Sequence, residues 1–242
     1  MYRKTIGSSV LFALCALHAL WSGAAFAATD AAAGANPTAM DQRVRACTSC
    51  HGVQGEGRKN DYFPRIAGKP AEYLFNQLIA FRDGGRTYPP MGYLLAYLPD
   101  DYLHQISEYF AALQPPYPES DHAAVSSKLL AAGEKLVKHG DPARGIPACI
   151  ACHGARMTGT QPGIPGLLGL HASYIAGQMG TWRSGTRHAL APDCMHTIAV
   201  KLNDSDISAV SNWLARQPRP DDPRPAPASA ARLPLACGSQ PQ

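Results

Sequence analysis

The chain has 242 residues, 45% of them hydrophobic and 17% charged, and a formal net charge of +4. That composition is ordinary for a globular protein. It allows one large domain or two small ones, and it lacks the concentrated basic footprint of a nucleic-acid binder. Two counts depart from the ordinary, the 21 prolines and the 7 cysteines, and both turn out to be organised.

At the start, Arg3 and Lys4 precede an apolar run from Ile6 to Trp21, and Ala25-Phe26-Ala27 follows. This is the pattern of a secretory signal with cleavage after Ala27, so residues 1–27 are expected to be removed. The run is shorter than the ~20 apolar residues a membrane span needs, and the residues before Cys15 lack the small-residue pattern of a lipoprotein signal. No later stretch is long and apolar enough to span a bilayer. The expectation is a periplasmic protein in an oxidising compartment, with 20 basic residues against 18 acidic ones once Arg3 and Lys4 have gone.

The first half of the mature chain, residues 28–114, opens on Cys47-Thr48-Ser49-Cys50-His51. C-x-x-C-H is the attachment pattern of c-type haem. Two thiols add across the two haem vinyl groups to form thioethers, and the histidine that follows ligates the iron. A redox dithiol or half a zinc site is the reading to set against a single copy. Phe63-Pro64-Arg65-Ile66-Ala67-Gly68 comes next, then a helical stripe of Tyr73, Leu74, Gln77, Leu78 and Phe81, and Arg86. Met91 lies in the stiff loop Tyr88-Pro89-Pro90-Met91-Gly92, and a closing helix is expected over residues 100–113, acidic at its start.

Prolines 115, 116 and 118 stop that helix and favour an extended linker, residues 115–124. The order of elements then repeats over residues 125–220. Cys149-Ile150-Ala151-Cys152-His153 is the second C-x-x-C-H, 102 residues after the first. Ile164-Pro165-Gly166-Leu167-Leu168-Gly169, then Tyr174, Gln178, Trp182 and Arg187, match the first half at an offset of 101. The helix from Asp204 to Gln217 matches the first closing helix at an offset of 104. Residues 221–242 are a proline- and alanine-rich tail. No alternating strand pattern is convincing. The expected fold is all-α, with two small tandem domains each wrapped around one covalent haem.

The repeat also selects the sixth iron ligand. Met91 lies 40 residues after His51, and Met195 lies 42 after His153 in the equivalent segment. Met157 is too close to its motif, Met179 aligns with Leu78, and His104, His188 and His196 are the weaker alternatives. His/Met ligation belongs to electron transfer. Cys194 and Cys237 are the two mature cysteines left over, and in an oxidising compartment they are expected to form a disulfide that ties the tail to the Met195 segment.

With these residues in place, the sequence resembles the cytochrome c₄ family, the dihaem class I c-type cytochromes, over nearly the whole mature chain. The resemblance implies two cytochrome c domains packed with their two haem c groups fairly close. It implies electron passage from a quinol-oxidising complex or a dehydrogenase towards a terminal oxidase, and two strong ligands on each iron, leaving no vacant site for substrate, favour such a carrier over an enzyme. It also implies that the carbonyls of Pro64 and Pro165 accept a hydrogen bond from Nδ1 of His51 and His153. Cys194, Cys237 and the long tail are additions to the family pattern. Two further functions share the same residues: the cytochrome subunit of a periplasmic dehydrogenase, and a catalytic dihaem sulfur-compound dehydrogenase that uses a cysteine sulfur on iron.

Overall fold

A computed structural model describes residues 39–59, 62–119, 124–228 and 232–240. The expected signal segment lies outside the described residues. Among them the first half comprises α1 (Ala39–Arg43), α2 (Arg45–His51), α3 (Ala71–Arg82), α4 (Pro89–Leu95) and α5 (Asp100–Ala112). The second comprises α6 (Ser127–His139), a 3-10 turn at Pro142–Arg144, α7 (Ile150–His153), α8 (Ala172–Arg183), α9 (Cys194–Ala199) and α10 (Asp204–Ala215). The sole strand pair among the described residues, β1 (Gly159–Thr160) and β2 (Ile164–Pro165), is an antiparallel hairpin with Gly159 opposite Pro165. The fold is all-α.

The two closing helices show why the halves fold alike. In α5 the buried residues are Leu103, Ile106, Ser107 and Phe110, at i, i+3, i+4 and i+7. In α10 their counterparts Ile207, Val210, Ser211 and Leu214 are buried in the same register. Asp100 and Asp101 occupy the first turn of α5. Helix α10 begins on a capping box, in which the Asn203 side chain accepts from Asp206 N–H and the Asp206 side chain accepts from Asn203 N–H. Helix α6 starts on Ser126, whose hydroxyl accepts from Leu129 N–H, and packs against α10.

Two sequence expectations change in detail. Met91 and Met195 sit in the short helices α4 and α9 rather than in loops. Prolines 89 and 90 fall at the first positions of α4, where a missing N–H costs nothing, and the Asp193 carboxylate caps α9 by accepting from His196 N–H. The segment expected to be a linker is also packed against both halves. Pro115 and Pro116 offer their carbonyls to Arg65 at 2.7 and 2.9 Å, the Tyr117 ring lies 4.1 Å from the same guanidinium, and Tyr117 packs on the apolar cluster of the second half.

The tail forms no helix or strand among its described residues, yet it is laid against the second half. Gln161 N–H donates to Ala226 O and Ala226 N–H to Gly159 O, Arg156 pairs with Asp222, and Gly238 N–H donates to Pro192 O.

Candidate cofactor sites

Cys47 and Cys50 lie three residues apart on α2, and His51 lies four from Cys47, so one helical face presents all three. Their side chains line a cavity of about 620 Å³, together with Pro64, Met91 and the whole α3 stripe, Tyr73, Leu74, Gln77, Leu78 and Phe81. His51 is 9% exposed, and its Nδ1 lies 2.9 Å from the Pro64 carbonyl oxygen. A carbonyl only accepts, so Nδ1 carries the proton and Nε2 keeps its lone pair, the form that ligates a metal. Burial pulls the imidazole pKa down, against the hydrogen bond to Pro64, and favours that neutral form. Burial also pushes the Cys47 thiol up to about 11.

The second half builds the same arrangement. Cys149, Cys152, His153, Pro165 and Met195 line a cavity of about 370 Å³, whose wall includes Tyr174, Ile175, Gln178, Met179 and Trp182 of α8. His153 Nδ1 donates to Pro165 O at 2.8 Å, and β2 holds that carbonyl in place. Burial pulls the His153 pKa down and pushes the Cys149 thiol up to about 11. Cys194 and Cys237 are joined, Cα to Cα 5.0 Å, and both line this cavity with Leu235 and Ser239 of the tail.

Each cavity borrows a wall from the other half. Tyr73, Asn76 and Gln77 of α3 also face the second cavity, while Tyr174, Gly177 and Gln178 of α8 face the first. At the seam, Gln77 Oε1 accepts from Arg86 at 3.0 Å and Arg187 at 2.7 Å, and Gln178 Oε1 accepts from Arg86 at 2.6 Å and Arg187 at 2.7 Å. Arg86 also donates to the Tyr174 hydroxyl. Burial, and then the charge of Arg86, pull the Arg187 guanidinium down to about 10. Lys69, which faces both cavities, donates to Gly166 O at 2.7 Å, and burial followed by the charge of Arg65 pulls it down to about 7. Neither seam arginine pairs with a carboxylate of the described residues. Buried cations call for anions.

These features fit haem. Each site offers two thiols, a neutral imidazole and a thioether around an apolar slot, with buried cations at the seam for the cofactor's ionised carboxylates. Of the alternative histidines, His104 stacks on Phe75 at 3.5 Å and faces neither cavity. His196 spends Nδ1 on Trp182 O, and His188 is an exposed residue of the second cavity's lining. Lys69 and the cavity-lining residues of the tail belong to no motif that would place them there from sequence. The Gln77/Arg86 and Gln178/Arg187 pairs were visible as a repeat, and their spacing was the signal that could have located the seam.

A family model of cytochrome c matches residues 130–217. The cytochrome c₄ of Pseudomonas aeruginosa is 37% identical over 195 residues, 80% of this chain and 91% of that protein. The thiosulfate dehydrogenase electron acceptor of Thiomonas intermedia is 37% identical over 77% of this chain and 85% of its own length. The crystal structure of reduced recombinant cytochrome c₄ from Pseudomonas stutzeri superposes with a TM-score of 0.64 at 32% identity, over 73% of this chain and 96% of the other. The chain belongs to the cytochrome c₄ family, and its cofactor is covalently bound haem c, two groups in that family.

Proposed function

We propose that this protein is the periplasmic electron acceptor of a dehydrogenase that oxidises an inorganic sulfur compound, and that it relays the electrons towards a terminal oxidase. Cys47 and Cys50, and Cys149 and Cys152, would form the thioethers to haem. His51 with Met91, and His153 with Met195, would ligate the haem iron. A bound haem iron supplies one-electron exchange between its ferric and ferrous states. The protein's part is to hold and tune it. Pro64 and Pro165 fix each imidazole through Nδ1–H and raise its basicity. The two methionines would supply thioether ligands, and a thioether raises the potential relative to a second imidazole. The crossed Arg86, Arg187, Gln77 and Gln178 lock the seam and bring the two cavities to a shared wall.

The observation that carries this reading is the convergence of a C-x-x-C-H histidine and a methionine on each cavity, which suits electron carriage better than substrate chemistry. The electron-acceptor relative at 37% identity favours a sulfur-compound dehydrogenase as donor. A catalytic role through a cysteine-ligated iron is disfavoured because Cys194 is bonded to Cys237. The test is stopped-flow mixing of the oxidised holo-protein with a thiosulfate-oxidising dehydrogenase and thiosulfate, and separately with a quinol-oxidising complex. Faster reduction by the dehydrogenase is expected. Reduction by the quinol-oxidising complex alone would reassign the donor. A stable complex surviving purification would favour the subunit reading.

A further inference from the structure

The repeat places four residues in two equivalent pairs, and the pairs are unequal. Phe81 of α3 corresponds to Trp182 of α8, and Asn76 of α3 corresponds to Gly177 of α8, both at the offset of 101. Phe81 and Gly177 face the first cavity, whereas Trp182 and Asn76 face the second. Each cavity thus receives one such residue from its own half and one from the other, and both N–H-bearing members fall to the second.

Those two donors are buried and unmatched. Asn76 Nδ2 and Trp182 Nε1 have no hydrogen-bond acceptor among the described residues. A buried N–H left unpaired costs about 1–3 kcal/mol, so two facing one cavity call for an acceptor inside it. The Trp182 ring is held in place: the Arg187 guanidinium lies 3.6 Å from its centroid, and its own carbonyl accepts from His196. The periphery of a porphyrin is hydrocarbon except for its two ionised carboxylates, which are strong acceptors.

We infer that Asn76 and Trp182 bind a carboxylate of the second haem and hold its redox potential up, a pair of donors that the repeat replaces by Gly177 and Phe81 at the first site. This rests on the assignment of haem to the second cavity. The sign follows from electrostatics. A nearby ionised carboxylate favours ferric over ferrous iron, and N–H donors that draw its charge away weaken that preference. Asn76 acts across the seam, so the first half helps set the potential of the second haem.

The experiment is a potentiometric titration of the exported holo-protein, with the step displaced by Met195→Ala identifying the second haem. Trp182→Phe and Asn76→Leu are each expected to shift that step to lower potential, the double variant furthest, while the first haem's step stays in place. Resonance Raman bending modes of the haem carboxylates should change for the second haem alone. The reverse substitution, Gly177→Asn, gives the first cavity the side chain that Asn76 gives the second, and should raise the first haem's potential. It keeps the inference testable if a loss variant fails to fold. Two haems per chain with the second step and its Raman modes unmoved in both loss variants would overturn the inference, since the donors would then be meeting water. A chain carrying no second haem would overturn the underlying assignment as well, and its visible spectrum distinguishes that failure.

Discussion

Gly133 on α6 lies directly over the Ala209 carbonyl of α10: a β-carbon built on it would stand 2.7 Å from that carbonyl carbon and 2.8 Å from Trp213 Cβ. The Ala209 atoms are backbone and the Trp213 atom is a β-carbon fixed to the backbone, so neither can yield, and the helix pair crosses at a distance only glycine permits. Gly133→Val is therefore expected to destabilise the second half by about 1–3 kcal/mol or more, as overpacking does. Gly180 on α8 has open space around the same built atom, and Gly180→Ala should add about 0.5–1 kcal/mol. Denaturant unfolding of the holo-protein, followed at each haem band, checks both signs.

Met91→Ala and Met195→Ala should each abolish the far-red methionine–iron band of one haem and lower that haem's potential, leaving the other in place. The expectation comes from the placement of each methionine on the wall of a different cavity. Survival of both bands in both variants would show that the iron ligands lie elsewhere.

The position of Arg65 makes a prediction about domain limits. It is 2% exposed, and the two terminal nitrogens of its guanidinium donate to the carbonyls of Pro116 and Pro115. An exported fragment of residues 28–119 should bind one haem covalently. A fragment ending at residue 114 leaves a buried cation without those acceptors, and should be the less stable by about 1–3 kcal/mol. Thermal unfolding of the two fragments compares them directly. Equal stability would mean that the first half closes without the linker.

The C-x-x-C-H motifs and the paired methionines were legible because covalent haem chemistry constrains residue type and spacing together. The α3 and α8 stripes were legible as helices, but their half-buried character was not, because they face cavities rather than protein. Helix α6 was overlooked: its buried Gly133, Leu136 and Val137 make a short stripe among lysines. The placement of Met91 and Met195 in helices was hidden by the neighbouring prolines, which read as a loop in sequence yet start α4 in space. The repeated Gln77/Arg86 and Gln178/Arg187 spacing marks equivalent positions in the two halves, but the spacing alone does not report that the side chains interlock across them.

The last expectation concerns the Cys194–Cys237 bond. It closes 43 residues of chain, and chain-entropy arguments put the stabilisation from such a loop at about 4 kcal/mol, less any strain. Its local effect is more specific. Cys194 adjoins Met195, and the bond carries Leu235, Cys237 and Ser239 onto the wall of the second cavity, where Gly238 N–H is anchored on Pro192 O at 3.0 Å. The first half has Pro90 beside Met91, where the second has Cys194 beside Met195. Reducing the bond, or replacing both cysteines by alanine, should therefore loosen α9 and the tail together. Imidazole should then displace the methionine of the second haem at lower concentration, and hydrogen exchange at Gly238 should quicken. The first haem should titrate as before. Peptide mapping of the unreduced protein establishes the starting point, since Cys194 and Cys237 peptides alkylated without reductant would show that no such tie exists. An unchanged imidazole titration of the second haem after complete reduction would show that the Met195 segment holds its place without the tail.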